Sequence, residues 1–111
     1  MELYKQYLKE IADINLVYGD DFFYTYQIQD NTVYLENVYI EEKLRRSGKI
    51  QEIFEDIFDI CRKEEKKFAT STVCKNASKK TIERSSHILK RNGFEIFEED
   101  DNMLYFSKEI L

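Results

Sequence analysis

A short stretch of this sequence joins an apolar strand to an amphipathic helix through a basic loop. It reads Val38-Tyr39-Ile40-Glu41-Glu42-Lys43-Leu44-Arg45-Arg46-Ser47-Gly48-Lys49-Ile50. The first turn of a helix has unpaired backbone N–H groups and a partial positive charge, so it attracts anions. Gly48 would let the backbone approach a phosphate closely, and Ser47 is the expected helix cap. Three cationic side chains, Arg45, Arg46 and Lys49, complete a predicted pyrophosphate site.

The chain before this loop is predicted to form a helix and a hairpin. Apolar residues recur at three- and four-residue steps through residues 2–14, as one buried face of a helix requires. Two aromatic and β-branched runs, at 22–29 and 32–40, flank the turn Asp30-Asn31. They indicate two antiparallel strands that lead directly into the loop.

The chain after the loop is predicted to form a crossover unit and a second hairpin. An apolar stripe begins near Lys49 and predicts a helix, and the alternating strand 68–74 follows it. With strand 32–40 this gives a parallel crossover. A helix at 78–92 ends at Gly93, and short strands at 94–97 and 103–106 flank an acidic turn. The predicted order is α-β-β-α-β-α-β-β, an α/β (α+β) arrangement in one domain, residues 1–111.

Composition excludes several classes of protein. The chain has 111 residues, 42% of them hydrophobic, which indicates one folded domain. Its net charge of −5 argues against a nucleic-acid partner, because such binders usually need a basic surface. No apolar run suits a membrane span or a secretory signal, so we expect no membrane partner and a cytoplasmic location.

The cysteines and the histidine offer little chemistry by themselves. Cys61 and Cys74 are predicted to be free thiols, with Cys74 a small buried apolar residue at the end of its strand. His87 is the single histidine, and no cysteine or histidine stands at metal-ligand spacing, so no metal site is predicted.

The loop lacks the glycine pattern of a Walker motif or of a dinucleotide-binding motif. It resembles instead the coenzyme A loop of the GNAT family of N-acetyltransferases, as Arg45-x-x-Gly48-x-Ile50. In that family an apolar strand residue lies five positions before the arginine, as Ile40 does here. A long helix, a strand, an asparagine, a second helix and a Gly-Phe pair then follow, and Asn76 and Gly93-Phe94 stand at those places. The resemblance covers residue 32 to the C-terminus.

The resemblance implies a GNAT-like acyl-CoA N-acyltransferase fold. Its central mixed, mostly antiparallel sheet is flanked by helices, and the N-terminal part is truncated here. It also implies acetyl-CoA as cosubstrate and an amine as acceptor. The residues it assigns to acetyl-CoA are the strand main chain, the loop and the asparagine: Val38, Ile40, Arg45, Arg46, Ser47, Gly48, Lys49, Ile50 and Asn76.

Three residues depart from the family pattern. Glu42 stands where members often have proline, which is tolerable. Ile50 replaces a small residue, so either the loop is wider than usual or Ile50 points into the core. Leu89 stands where many members have the tyrosine that protonates the leaving thiolate, which puts catalytic competence in question.

An amine acceptor must lose a proton before it can attack the thioester, and a lysine ammonium has a reference pKa near 10.4. A base is therefore still required. Glu36 on strand 32–40 is the best candidate, although it could equally be a solvent-facing charge. Tyr39 and Tyr105 are alternative proton donors. Ser85 and Ser86 lie on the helix that can face the cofactor arm, and His87 on the same helix is a weaker candidate.

Length bears on the acceptor. Family members usually have two helices that form a wall of the acceptor site, whereas one helix precedes Phe22 here. The acceptor side should therefore be open, which favours a protein lysine, an N-terminal amine, or a homodimer whose partner completes the wall. The acidic hairpin would attract a cationic amine, and the basic second helix is either a solvated face or a contact for the 3′-phosphate.

Two other functions remain open at this stage. One is a noncatalytic module of the same fold that binds another protein, with Ile50 and Leu89 as signs of a decayed site. The other is an unrelated small α+β binding protein whose Arg-x-x-Gly is accidental.

Overall fold

The computed structural model describes residues 1–111 as three α-helices and six strands. In chain order they are α1 Glu2–Ala12, β1 Asn15–Tyr18, β2 Phe22–Ile28, β3 Thr32–Ile40, α2 Lys49–Lys63, β4 Phe68–Cys74, α3 Lys79–Arg91, β5 Glu95–Glu99 and β6 Met103–Glu109. A short 3₁₀ turn, Glu42–Leu44, lies between β3 and α2.

The strands form one mixed sheet in the order β1-β2-β3-β4-β6-β5. Only β3 and β4 are parallel, and every other neighbouring pair is antiparallel. The predicted hairpins and the β3-α2-β4 crossover are therefore confirmed, and so is the mixed, mostly antiparallel sheet.

The hydrophobic core lies between α2, α3 and one face of the sheet. The α2 side chains Ile53, Phe54, Ile57, Phe58 and Cys61 are buried there, together with sheet residues of β2, β3, β4 and β6. Phe94, which follows Gly93, packs against Phe54 and Phe58 with tilted rings whose centroids are 5.5 Å and 6.0 Å away. This packing holds α2 against the sheet, beside the strand that leads into the basic loop.

The first part of the chain differs from the prediction. Helix α1 ends at Ala12, because Asp13 adopts a left-handed conformation (φ 55°), and a four-residue strand, β1, follows. Strand β1 was not predicted, because the helical spacing of apolar residues continues to Ile14 and the four strand residues that follow are too few to give a separate pattern. The prediction that α1 buries its apolar face is wrong: none of its residues is buried.

Two smaller predictions are also wrong. Cys74 is exposed, because its neighbour Val73 points into the core and alternation along β4 turns Cys74 outward. Ser47 does not cap α2: Gly48 is the N-cap residue, and the Ser47 hydroxyl donates to the carbonyl oxygen of Leu44 at 2.6 Å. None of the three α-helices has both the length and the hydrophobicity that crossing a membrane requires.

Candidate functional site

The parallel strands β3 and β4 separate halfway along their length. Their pairing runs from Thr32–Phe68 to Leu35–Ser71 and stops there, although β3 continues to Ile40 and β4 to Cys74. At this last pair the Ser71 hydroxyl donates to the Leu35 carbonyl oxygen at 2.9 Å. Beyond it, the edge of β3 that faces β4 has no strand partner, so a wedge opens with backbone groups free to bind a ligand.

A β-bulge at Glu36 lies where the strands begin to separate. On the β2 side, Leu35 pairs with Tyr26 and Asn37 pairs with Thr25, which leaves Glu36 without a partner. The backbone and side-chain N–H groups of Asn37 both donate to the Thr25 hydroxyl, at 3.2 Å and 3.3 Å. Bulges bend and twist the strand that contains them, so this one turns β3 away from β4. Glu36 itself is exposed and forms no ion pair or side-chain hydrogen bond.

The basic loop connects β3 to α2, and its last residue before the helix is Gly48. Gly48 has a φ of +89°, a conformation that residues with a side chain disfavour, so glycine suits this position. The N–H groups of Gly48, Lys49, Ile50 and Gln51 donate to no protein acceptor. A Cβ added at Gly48 would meet no atom within 4 Å, so the space beside Gly48 at the start of α2 is open. The start of α2 thus has the donors, the dipole and the room for an anionic group.

The three cations of the loop are not equivalent. Arg45 donates from Nε to the Ile40 carbonyl oxygen at 2.9 Å, and its guanidinium lies 5.7 Å from the centre of the Tyr39 ring. The Lys49 ammonium lies 3.9 Å from the centre of the Phe22 ring and 3.2 Å from a Glu52 carboxylate oxygen. Arg46 is exposed and has no ion pair, so it is the cation most available to a ligand.

Ile50 and Leu89, two of the three residues that depart from the family pattern, both take part in core packing. Ile50 is half-buried and packs against the core cluster, so the second of the two predicted alternatives holds and the loop need not be wider. Leu89 is only 5% exposed. A tyrosine at that position would have to bury a hydroxyl in the core or repack it.

Ser86 on α3 has the one buried side-chain oxygen or nitrogen in the chain without a hydrogen-bond partner. A buried polar group left unpaired costs about 1–3 kcal/mol, so it marks a place where a ligand atom would be stabilising. Ser86 lies on the same helical face as the core residue Leu89, toward the sheet. Asn76, in the turn after β4, is exposed, as is His87 on the outside of α3.

On the opposite face of the sheet from α2 and α3, a groove runs beside the bulge. It has a volume of about 490 Å³ and is lined by Met1, Tyr4, Leu16, Phe23, Thr25, Asn37, Val38 and Tyr39. Helix α1 packs mainly on β1, so the β4, β6 and β5 part of this face has no helix over it. No feature of the sequence marks the groove residues Phe23, Thr25 and Asn37, because the bulge that brings them together depends on strand register.

The proposed proton donors Tyr39 and Tyr105 are in different surroundings. The Tyr39 ring stacks on Phe23 with centroids 5.9 Å apart. The Tyr105 hydroxyl donates to Asp100 at 2.7 Å, which raises the pKa of Tyr105 and lowers the pKa of Asp100. The Tyr105 hydroxyl is therefore already hydrogen-bonded to the acidic turn between β5 and β6.

No protein-family model and no curated protein matches this sequence. Solved structures do match the fold. A GNAT family acetyltransferase from Elizabethkingia anophelis, with acetyl-CoA bound, superposes with a TM-score of 0.72 at 16% identity, over 97% of this chain and 82% of that one. PaiA N-acetyltransferase from Thermoplasma acidophilum, in complex with coenzyme A, gives 0.76 at 14% identity, over 97% and 69%.

A third match is the ribosomal-protein-S18-alanine N-acetyltransferase from Escherichia coli, with a TM-score of 0.63 at 13% identity, over 81% of this chain and 61% of that one. This agreement over most of the chain overturns the alternative of an unrelated α+β protein. The chain has the fold of the GNAT-family acetyltransferases.

Proposed function

We propose that this chain transfers an acetyl group from acetyl-CoA to an amine, with a protein lysine or a protein N-terminal amine as acceptor. The observation that carries the proposal is the wedge between β3 and β4, which opens directly beside the unpaired amides of α2. Acetyl-CoA and coenzyme A bind to two of the solved structures that share the fold. One of the three superposed structures acts on an alanine of a ribosomal protein, and the open groove here suits a large acceptor.

The chain's own groups suit the parts of the cosubstrate. The amides of Gly48 to Gln51 would bind the pyrophosphate, with Arg46 as the available cation. The backbone of Val38 and Ile40 would bind the pantetheine arm along the free edge of β3, and the unpaired Ser86 hydroxyl would bond it from α3. Ser47, Lys49, Ile50, Arg45 and Asn76 would hold these groups in position.

In the proposed reaction the amine nitrogen attacks the thioester carbonyl carbon of acetyl-CoA, and the C–S bond breaks to release the coenzyme A thiolate. The chain's contribution is to hold the two together and to direct backbone N–H groups near the bulge at the carbonyl oxygen, which accounts for several kcal/mol of barrier lowering. With Leu89 buried, we assign no side chain to protonate the leaving thiolate. Glu36 takes the proton from the ammonium, directly or through water. The free thiols Cys61 and Cys74 fit the reducing cytoplasm, where we place the reaction.

Thermal unfolding tests the proposal. A ligand at one hundred times its dissociation constant stabilises a protein by about 2.7 kcal/mol, so acetyl-CoA should raise the unfolding midpoint by roughly 10 °C or more for a domain of this size. Adenosine without the phosphates is the control and should have little effect. An unchanged midpoint with saturating acetyl-CoA would contradict the proposed function.

Replacing Glu36 by Gln should separate binding from turnover. We expect the Glu36→Gln variant to bind acetyl-CoA as the wild type does, with kcat lowered by about 100-fold or more, since it removes the base. Thiol release from acetyl-CoA with a lysine peptide measures the rate. The matched control is Glu42→Gln, an exposed carboxylate of the neighbouring loop. Full turnover in Glu36→Gln would remove Glu36 from the mechanism.

Leu89 favours a second candidate, a noncatalytic module of this fold that binds another protein. A buried leucine cannot replace the tyrosine as a proton donor. Binding of acetyl-CoA without thiol release from any amine peptide would select this alternative.

A further inference from the structure

Helix α1 presents an apolar surface that no part of the chain covers. Ten large hydrophobic residues are exposed, and six of them lie on the α1 side of the sheet, at α1 and the neighbouring end of β3. We call these six the α1 patch: Met1, Leu3, Tyr4, Tyr7, Ile11 and Tyr39. Leu3 is 81% exposed and Ile11 is 68% exposed. From this patch we infer that the protein is a homodimer, in which α1 of one copy packs against α1 of the other.

The helix is firmly attached to its own chain, so its exposed face is a property of the folded domain. The Tyr18 hydroxyl donates to Glu2 at 2.6 Å, and the Gln27 side chain donates to the Ala12 carbonyl oxygen at 2.8 Å. These bonds hold both ends of α1, and Leu8 faces the sheet and is half-buried. The α1 patch therefore remains on the outside.

The total surface is larger than the average for a folded monomer of this mass. The accessible area is 7458 Å² for a mass of 13.4 kDa. A folded monomer of this mass exposes about 6,500 Å², so the chain exposes about 1,000 Å² more than expected. Each partner in a stable complex buries about 800 Å². The excess is thus about the area that one face of a dimer would bury.

The patch is complementary to itself. Leu3, Tyr7 and Ile11 are spaced by four residues and form one ridge along α1, and such ridges interdigitate between packed helices. In an antiparallel pair related by a two-fold axis, Tyr7 lies at the axis and Leu3 lies opposite the partner's Ile11. The rings of Tyr4 and Tyr7 are already stacked, 6.3 Å apart, so little side-chain order is lost on association.

The inference of a dimer does not depend on the proposed function. A dimer would nevertheless change the groove that is proposed for the acceptor. Met1 and Tyr4 belong both to the α1 patch and to the groove beside the bulge. A second copy on α1 would therefore stand at the edge of that groove and narrow its open side. An anionic membrane is a poorer occupant, because the chain carries a net charge of −5.

Sedimentation velocity on the intact chain tests the inference. The wild type should sediment at twice 13.4 kDa at micromolar concentration, and Tyr7→Lys should sediment as a monomer with an unchanged circular dichroism spectrum. Gln6→Lys, on the polar side of the same helix, is the matched control and should stay dimeric. A monomeric wild type at 100-fold higher concentration, or a dimeric Tyr7→Lys, overturns the inference.

Cross-linking gives a second readout in case Tyr7→Lys fails to fold. In a Cys74→Ser background, Tyr7→Cys should form an intermolecular disulfide under mild oxidation, because position 7 meets its own copy at the axis, whereas Gln6→Cys should not. Equal cross-linking of the two variants would overturn the inference. So would a monomer that co-sediments with phosphatidylglycerol vesicles, which would assign the patch to lipid. Neither assay needs acetyl-CoA, so the dimer and the proposed function can fail independently.

Discussion

Acetyl-CoA binding should fall by at least about 100-fold in the Gly48→Glu variant. The new carboxylate would lie in the open space at the start of α2, beside the unpaired amides where the pyrophosphate is expected. Two like charges 4 Å apart repel by about 4 kcal/mol near a protein surface, and solvent screening reduces this only in part. Isothermal titration with acetyl-CoA measures the loss, together with the absence of a thermal shift.

A matched control separates the effect of the new charge on binding from the effect of backbone strain at position 48. Gly48 has φ +89°, so any side chain there strains the loop by about 1–3 kcal/mol. Gly48→Gln has the same strain and bulk as Gly48→Glu but no charge, and it should bind with intermediate affinity. Both variants should keep the wild-type circular dichroism spectrum. Wild-type affinity in Gly48→Glu would show that the start of α2 is not the phosphate site.

The Phe94→Ala variant should lose about 3–5 kcal/mol of the free energy of unfolding, because it leaves a cavity in the core where an aromatic ring packed against α2. Phe94 is 2% exposed and contacts the rings of Phe54 and Phe58 on α2. A loss of this size lowers the unfolding midpoint of a small domain by more than about 10 °C. Urea unfolding followed by circular dichroism measures it.

Phe97→Ala is the control for this variant. Phe97 lies three residues further along the same hairpin and is 60% exposed, so its removal should cost about 1 kcal/mol or less. If both variants lost the same stability, the three-ring cluster would not be the connection between α2 and the final hairpin. Because this cluster packs on α2, whose first turn carries the unpaired amides, we expect Phe94→Ala to weaken acetyl-CoA binding as well.

Much of the fold could be predicted because its elements are encoded locally. Helices α2 and α3 show continuous apolar stripes, and β2, β3 and β4 show period-two runs between clear turns. The loop at Arg45 and Gly48 stands where the sequence predicts, between the end of β3 and the start of α2. Strand β1 was missed because four residues are too few for a periodic signal that competes with the preceding helix.

The site could be predicted less completely. Arg45 and Lys49 were predicted as ligands of the cosubstrate from their charge, but charge does not reveal that one already bonds the Ile40 carbonyl and the other lies over Phe22. Both assignments stay predictions, as does the role of Glu36. Cys74 was predicted to be buried from its residue type, whereas alternation along β4 turns it outward.

The sequence by itself determined the order of most elements, the parallel crossover and the position of the basic loop, since these follow from spacing and turn residues within about fifteen positions. The tertiary structure decided the bulge at Glu36, the separation of β3 from β4 and the free face of α1. Each of these depends on partners distant in sequence: the register of Thr25 against Asn37, and the end of pairing after Leu35 and Ser71. An apolar pattern shows that a helix has a face to bury, but only packing shows whether its own chain covers it.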